Sequence, residues 1–184
     1  MALKLPTSLS PSKVSTFTDC ALSFRFSAIN KIPQPPTVAT VKGTLVHSAL
    51  ERLLALDAAD RTVDNAITCL HDASAELDAD PEWRELALNA DDQATFFRDA
   101  DLLVHKYFDI EDPTSIEPIG LELHVEHELT VKEGSSVTLR GIIDRLERDA
   151  NGQLVVSDYK TGKAPAEGYQ QSRLTGVHIY SYLC

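Results

Sequence analysis

The residues best suited to chemistry are two aspartates and a lysine in the last third of the chain. Asp144 and Asp158 each lie toward the end of a strand-like segment, and Lys160 follows Asp158 by two residues. Two carboxylates at the ends of adjacent antiparallel strands can converge on a hard divalent cation, which prefers oxygen ligands and retains waters. An ammonium group beside them can act on an attacking water or on a phosphate. The set therefore favours metal-assisted hydrolysis.

Three predicted strands would position this set. The first follows Pro118 and has alternating apolar and polar residues, the second covers Val137–Leu146, and the third covers Gln153–Tyr159. Asn151-Gly152, between the second and third strands, is a strong hairpin signal. We therefore expect the second and third strands to pair.

This pairing predicts how the three side chains meet. The hairpin closes the second strand onto the third, so Asp144 and Asp158 can meet near one edge of the sheet. Side chains two residues apart in a strand share a face, which would put Lys160 beside Asp158.

Helices are predicted on both sides of these strands. Ser10 as a cap followed by proline predicts a helix over residues 11–24, and the proline-rich residues 32–36 predict an extended loop. Apolar residues then recur at helical spacing over residues 44–56, in a helix that carries His47. Two or three further helices are expected over residues 62–110, and residues 166–184 are expected to form a last helix.

Charge is distributed unevenly along the chain. The net charge is −11, and residues 57–117 carry seventeen acidic and four basic side chains. Residues 1–56 carry six basic and two acidic side chains. This balance excludes a uniformly basic coat for nucleic acid, because affinity for phosphates comes largely from Lys and Arg. The acidic segment is expected to be a solvated helical face that points away from a DNA substrate.

Several segments resemble those of a known family. Residues 141–145 read GIIDR and residues 155–163 read VVSDYKTGK. Together they resemble the GxxDR and DYKTGK signatures of RecB-type nucleases, in the PD-(D/E)XK superfamily of metal-dependent DNA nucleases. Residues 43–51 are similar to the GxxxH helix of that family, and residues 9–13 with Cys20 are similar to its N-terminal helix. Residues 57–117 are covered only loosely.

The resemblance implies a metal site. His47, Asp144 and Asp158, with the backbone carbonyl of Tyr159, would bind Mg²⁺ or Mn²⁺. Lys160 would orient or activate water, and the metal would lower the pKa of that water.

Further residues are implied near the metal or the substrate. Glu122 and Tyr180 fall where relatives carry a glutamate and a tyrosine, whereas Gly176 stands where a supporting glutamine is common. Gln170 or Gln171 could supply an amide instead. Arg145 could contact phosphate or be an ordinary solvated charge.

The three cysteines argue against disulfides and against a cluster. Cys20, Cys69 and Cys184 are odd in number and far apart. A branch of the family, including AddB and CRISPR-associated exonucleases, binds an iron-sulfur cluster through one N-terminal and three C-terminal cysteines. Cys20 matches only the first, so no cluster is expected from this chain alone, and Cys20 is expected to be a buried helix residue.

The expected fold is α/β, with a restriction-endonuclease-like core. A mixed central sheet, whose first three strands form a meander, would be flanked by the His47 helix and the C-terminal helix. One nuclease domain is expected over residues 1–184, built from N-terminal helices (1–56), an acidic helical insertion (57–117) and the catalytic strands with the following helix (118–184). The chain stops before a further strand that the fold usually has, so a truncated chain is expected. No membrane span or signal peptide is apparent, and a cytoplasmic protein is expected.

The function that the resemblance implies is metal-dependent DNA cleavage, as an exonuclease in DNA repair or recombination. No nucleotide-binding loop is present, so a helicase activity would belong to a partner. Two alternatives stay open: a catalytically silent DNA-binding or scaffolding module, and a metal hydrolase acting on a small phosphoester. The complete set of candidate residues weighs against the first, and the basic N-terminal third weighs against the second.

Overall fold

The chain divides into two compact units that alternate along the sequence. The computed structural model describes residues 4–132, 134–162 and 175–184. Unit 1 comprises Met1–Gln34, Glu122–Asp158 and Ala164–Cys184. Unit 2 comprises Pro35–Leu121 and Tyr159–Lys163. One of the boundaries between the units therefore falls between Asp158 and Tyr159, inside the DYKTGK segment.

Unit 1 is built on a mixed sheet. In the part of the chain that the structure describes, the sheet has four strands: β1 (Ser8–Leu9), β2 (Pro118–Lys132), β3 (Ser135–Arg148) and β4 (Leu154–Ser157). Strand β3 pairs with all three others, in parallel with β1 and antiparallel with β4. Because β2, β3 and β4 follow one another in the chain and in the sheet, the predicted meander is confirmed. Strand β1 was not predicted, since two residues are too few to show a strand period.

The turn between β3 and β4 is closed by Asp149. Its carboxylate accepts hydrogen bonds from the backbone N–H groups of Asn151 (2.9 Å) and Gln153 (2.8 Å), and these bonds hold the pKa of Asp149 below its usual value. Gly152 has φ +80°, a left-handed conformation that glycine adopts without strain. The hairpin signal in the sequence is confirmed, and the turn sets the register of the two strands.

Unit 1 also contains helices, and the last of them packs on this sheet. The described helices are α1 (Pro11–Asp19), α2 (Ala21–Phe24), which continues as a π-helical turn over Arg25–Ile29, and α7 (Thr175–Leu183). Helix α7 contacts α1, β3 and β4. The predicted Ser10 cap is present, since its hydroxyl accepts from the Lys13 backbone N–H at 3.3 Å. The first part of the predicted last helix, residues 166–174, lies outside the described residues.

Cys20 lies at the break between α1 and α2 and is exposed. The prediction that it is a buried helix residue is wrong. Its backbone is extended (φ −158°, ψ 105°), because α1 ends at Asp19 and the chain starts a new helix one residue later.

Unit 2 is helical. Its helices are α3 (Val38–Leu54), α4 (Val63–Ser74), α5 (Pro81–Leu86) and α6 (Ala90–Ile110). The apolar faces of α3, α4 and α6 share one core, with Leu53, Phe96 and Val104 almost completely buried. The two or three helices predicted over residues 62–110 are thus confirmed as three, and they pack with the His47 helix.

Helix α3 begins six residues earlier than predicted, at Val38 rather than Thr44. Thr37 and Thr40 form a reciprocal capping box: the Thr37 hydroxyl accepts from the Thr40 N–H at 3.1 Å, and the Thr40 hydroxyl accepts from the Thr37 N–H at 3.0 Å. The loop predicted over residues 32–36 is present, since these residues lie outside any helix or strand, and Gly43 lies inside the helix.

The acidic residues of the middle segment are on the surface. None of the seventeen Asp and Glu side chains in residues 57–117 is buried in the structure, which confirms the solvated face. A buried cation was missed: Arg61 is 7% exposed and donates to the carbonyls of Leu56, Pro113 and Ile116 at 2.7–3.0 Å. Among the described helices, none is long and apolar enough to span a bilayer.

The core of unit 2 makes a stability prediction. Leu53 is fully buried, whereas Leu102 is 52% exposed on α6. Leu53→Ala should lower the free energy of unfolding by roughly 2–5 kcal/mol, because it leaves a cavity. Leu102→Ala should change it by less than about 1 kcal/mol. Denaturant titration of both variants checks this, and equal losses would contradict the described core.

Candidate active site

The central pair of the candidate site is Asp144 and Asp158, at the end of the β3–β4 ladder. The end pair of this antiparallel ladder is Arg145 with Ser157. One step further along the same register are Asp144 and Asp158, so these half-buried carboxylates follow facing positions of the two strands. Like charges placed opposite each other destabilise a strand pair. A cation between them would remove that cost.

A third carboxylate approaches this pair from β2. Carboxylate oxygens of Glu122 and Asp144 lie within 4.8 Å of each other. Glu122 has φ +43°, a left-handed conformation that costs a non-glycine residue energy and is frequent where function imposes strain. The sequence suggested only a supporting role for Glu122, because neither an alternating strand pattern nor a residue type reveals a backbone twist.

Tyr180 on α7 lies among the same carboxylates. Burial raises the pKa of its phenol, and the negative charges of Asp158, Asp144 and, more weakly, Glu122 raise it further. The Ile142 backbone forms a hydrogen bond with the phenol that acts in the opposite direction. The raised pKa means that Tyr180 stays protonated at neutral pH and can donate a hydrogen bond.

Gly141, the first residue of the GIIDR segment, makes room for the Tyr180 ring. A Cβ atom at position 141 would overlap Cε1 of Tyr180 and lie 3.2 Å from its Cδ1. At Gly176 the nearest atom to an added Cβ is Cβ of Pro11, at an ordinary contact distance of 3.7 Å. Glycine is therefore required by packing at position 141 and not at position 176.

His47 and the carbonyl of Tyr159 form a second cluster, inside unit 2. The Nε2–H group of His47 donates to the Tyr159 carbonyl oxygen at 3.0 Å. The Tyr159 ring makes edge contacts with the rings of His47 and Tyr107, at centroid distances of 6.0 and 5.8 Å. Tyr159 also packs against the helical core, so its carbonyl is held by an anchored side chain.

Gly43 allows Thr161 of the DYKTGK segment to lie close to α3. A Cβ atom at position 43 would lie 3.2 Å from the hydroxyl oxygen of Thr161, tighter than most contacts. Gly43 and His47 are one turn apart, so they share a helix face. That face runs along residues 159–161, and Thr161 is a contact that sequence reasoning missed.

Strand β4 ends at Ser157, earlier than predicted, so Asp158 and Lys160 follow the strand instead of lying in it. The period of two therefore does not relate their side chains. Lys160 is exposed, and Asp158 is half-buried. The β3–β4 ladder covers only residues 154–157 of β4, and the chain passes into unit 2 at Tyr159.

Arg145 points into the hairpin. It is 3% exposed, its Nε lies 3.2 Å from a carboxylate oxygen of Glu147, and its Nη2 donates to the Ser157 hydroxyl at 3.0 Å. Ser157 is also its cross-strand partner. Arg145 is thus not a solvated charge, and its contacts tie β3 to β4 directly beside the aspartate pair.

The donors in each unit fit a hard divalent cation. Unit 1 supplies carboxylate oxygens, the ligands that Mg²⁺ prefers, and these carboxylates are crowded. In unit 2, the 3.0 Å between His47 Nε2 and the Tyr159 carbonyl oxygen equals the separation of about 3.0 Å between adjacent ligands of an octahedral ion with bonds of about 2.1 Å. Ligation by Nε2 requires the histidine tautomer with its proton on Nδ1.

Comparison with known families identifies the superfamily of this chain. The model of the PD-(D/E)XK nuclease superfamily matches residues 8–184, and the chain therefore belongs to that superfamily. The match covers both units and includes every candidate residue named above. A search of curated proteins finds no match. The mixed α/β fold with its four-stranded sheet is consistent with the restriction-endonuclease-like fold expected from the sequence.

The two glycines make a matched test of the site's packing. Gly141→Ala should lower the free energy of unfolding by roughly 1–3 kcal/mol, because the new methyl group displaces the Tyr180 ring. Gly176→Ala should leave it unchanged or raise it by up to about 1 kcal/mol, because alanine favours a helix. Thermal unfolding of both variants measures the difference. Equal tolerance at the two positions would show that Tyr180 does not pack on Gly141.

Proposed function

We propose that this protein is a metal-dependent deoxyribonuclease of the RecB type. The observation that carries the proposal is the close approach of the Glu122 and Asp144 carboxylates, within 4.8 Å, beside the Tyr180 phenol, which the charge of Asp158 also reaches. Negative charges this close together destabilise a fold unless a cation offsets them. In a superfamily of nucleases, the cation that these carboxylates would hold is a divalent metal ion at a phosphodiester bond.

The proposed ligands of the ion are Asp144, Asp158, His47 and the backbone carbonyl of Tyr159. Asp158 and Tyr159 are joined by a single peptide bond, so a carboxylate and a carbonyl of adjacent residues are available to one ion. Glu122 is proposed as an additional ligand or as an acceptor for a metal-bound water, since its carboxylate is close to that of Asp144. Mg²⁺ or Mn²⁺ suits this oxygen-rich set.

When bound, the ion would polarise the phosphoryl oxygen and lower the pKa of an attacking water. The protein's side chains would further stabilise the charge that develops on the phosphate. The exposed ammonium of Lys160 donates hydrogen bonds to a nonbridging phosphate oxygen, and so offsets the charge that develops there. The protonated Tyr180 phenol donates a hydrogen bond to the same phosphate, and the packing of its ring on Gly141 holds the phenol in position.

DNA is the proposed substrate, by membership of the superfamily. The acidic segment 57–117 would repel a polyanion, so DNA would approach the faces that carry the basic N-terminal third and the catalytic strands. Exonucleolytic action, a role in repair or recombination and a helicase partner rest on the resemblance to RecB-type nucleases.

Cleavage of end-labelled DNA tests the activity. Single-stranded and duplex DNA should be cut with Mn²⁺ or Mg²⁺ and left intact with EDTA. Asp158→Asn and Lys160→Ala should each lower the rate by about 10²-fold or more, because each removes charge compensation at the reacting phosphate.

Matched controls for these variants lie on α6. Asp109→Asn and Lys106→Ala change the same residue types at exposed positions of unit 2, and should cleave at the wild-type rate. A folded wild-type chain that binds metal but does not cleave would favour the silent module. Cleavage that Asp158→Asn leaves unchanged would remove Asp158 from the reaction.

Metal binding makes an independent prediction about stability. Mn²⁺ at about 100 times its dissociation constant should raise the free energy of unfolding of the wild-type chain by about 2.7 kcal/mol. Asp144→Asn should abolish most of this increase. Without metal, the same variant should be at least as stable as wild type, because it relieves the repulsion with Asp158 and Glu122.

The control for this experiment is Glu128→Gln, an exposed carboxylate on β2. It should keep the full response to Mn²⁺, and EDTA should reverse the response. An Asp144→Asn chain that responds to Mn²⁺ as wild type does would show that Asp144 is not a ligand.

A further inference from the structure

We infer that a pocket beside Tyr180 in unit 1 binds a nucleotide adjacent to the cleaved bond, with Arg140 as the phosphate-binding residue. The inference rests on the proposed function and adds a substrate subsite to it. The pocket has a volume of about 790 Å³ and is lined by α1, β2, β3 and α7. Its polar lining consists of Ser10, Ser12, His124, Glu126, Arg140 and Tyr180.

The pocket and the carboxylates share a wall. Tyr180 lines the pocket, and the same phenol feels the charges of Asp144 and Asp158. Gly141, against which the Tyr180 ring packs, also lines the pocket. A strand whose phosphate lies at the carboxylates would therefore place a neighbouring nucleotide in the pocket, with the Tyr180 ring available for contact with a base or sugar.

The size of the pocket favours an unpaired strand. Sites for single small ligands have volumes of about 300–1,000 Å³, and this pocket falls inside that range. A base that enters the pocket cannot stay paired with a complementary strand, so a duplex would have to unpair there and a single strand would not. The proposed occupant is therefore a nucleotide of single-stranded DNA.

The chemistry of the lining fits such an occupant. Arg140 is exposed and makes no ion pair or side-chain hydrogen bond with any residue that the structure describes, so its guanidinium is available for a phosphate. The hydroxyl groups of Ser10 and Ser12, 2.9 Å apart, can bind phosphate or sugar oxygens. Glu126 would repel a phosphate and is suited to accept from the amino group of a base.

Arg148 provides a matched control for Arg140. Both are exposed arginines on β3, eight residues apart and hence on the same side of the strand, but Arg148 does not line the pocket. The probe is a fluorescent single-stranded oligonucleotide of ten thymidines, and its binding is measured by anisotropy in EDTA, where it is not cut. Cleavage kinetics of the same oligonucleotide are measured with Mn²⁺.

Arg140→Ala should weaken binding roughly 10-fold to 100-fold, because a charge-assisted contact to phosphate is lost. The salt dependence of binding should fall by about 0.7 in log–log slope, as expected for one phosphate contact. In cleavage, KM should rise by a similar factor while kcat changes less than about 2-fold. Arg148→Ala should match wild type in every measurement.

Failure of the subsite can be told apart from failure of the proposed function. Wild-type cleavage with equal affinity and KM for Arg140→Ala and Arg148→Ala would overturn the subsite and leave the nuclease standing. Absence of cleavage, with binding that still depends on Arg140 and not on Arg148, would support the subsite and contradict the nuclease. Absence of oligonucleotide binding by the wild-type chain, or preferred binding of duplex, would overturn the subsite.

Discussion

Repulsion among carboxylates at the end of the β3–β4 ladder is the constraint around which unit 1 is arranged. Asp144 and Asp158 follow facing positions, and Glu122 adds a third negative charge close to Asp144. The neighbouring contacts hold this arrangement in register: Arg145 ties the strands together just before the pair, and Asp149 closes the turn. A slip of one residue would move the aspartates apart and turn side chains to the other face of the sheet.

Unit 2 positions a different part of the DYKTGK segment, beginning at Tyr159. The Tyr159 side chain is anchored in the helical core, and its carbonyl meets His47 on the first helix of the unit. Gly43 removes the side chain that would keep Thr161 away from that helix. The GxxxH and DYKTGK segments are distant in sequence but adjacent in unit 2, because residues 159–161 run along the helix face that carries Gly43 and His47.

Much of the candidate site could be predicted because it depends on short-range sequence patterns. The Asn151-Gly152 turn predicts the hairpin, and the hairpin predicts that Asp144 and Asp158 come together. The roles of Gly43 and Gly141 could not be predicted in this way, since each depends on a side chain that is distant in sequence. The positive φ of Glu122, the two-residue strand β1 and the carbonyl contacts of buried Arg61 likewise depend on tertiary structure and not on residue type.

The proposal that Asp144 and Asp158 hold a metal ion makes a direct structural prediction. Its most direct test is a crystal of the chain grown with Mn²⁺, with data collected at the manganese absorption edge. An anomalous peak is expected at direct coordination distance, about 2.0–2.6 Å, from carboxylate oxygens of both Asp144 and Asp158. A well-ordered crystal with saturating Mn²⁺ and no peak at these two residues would contradict it.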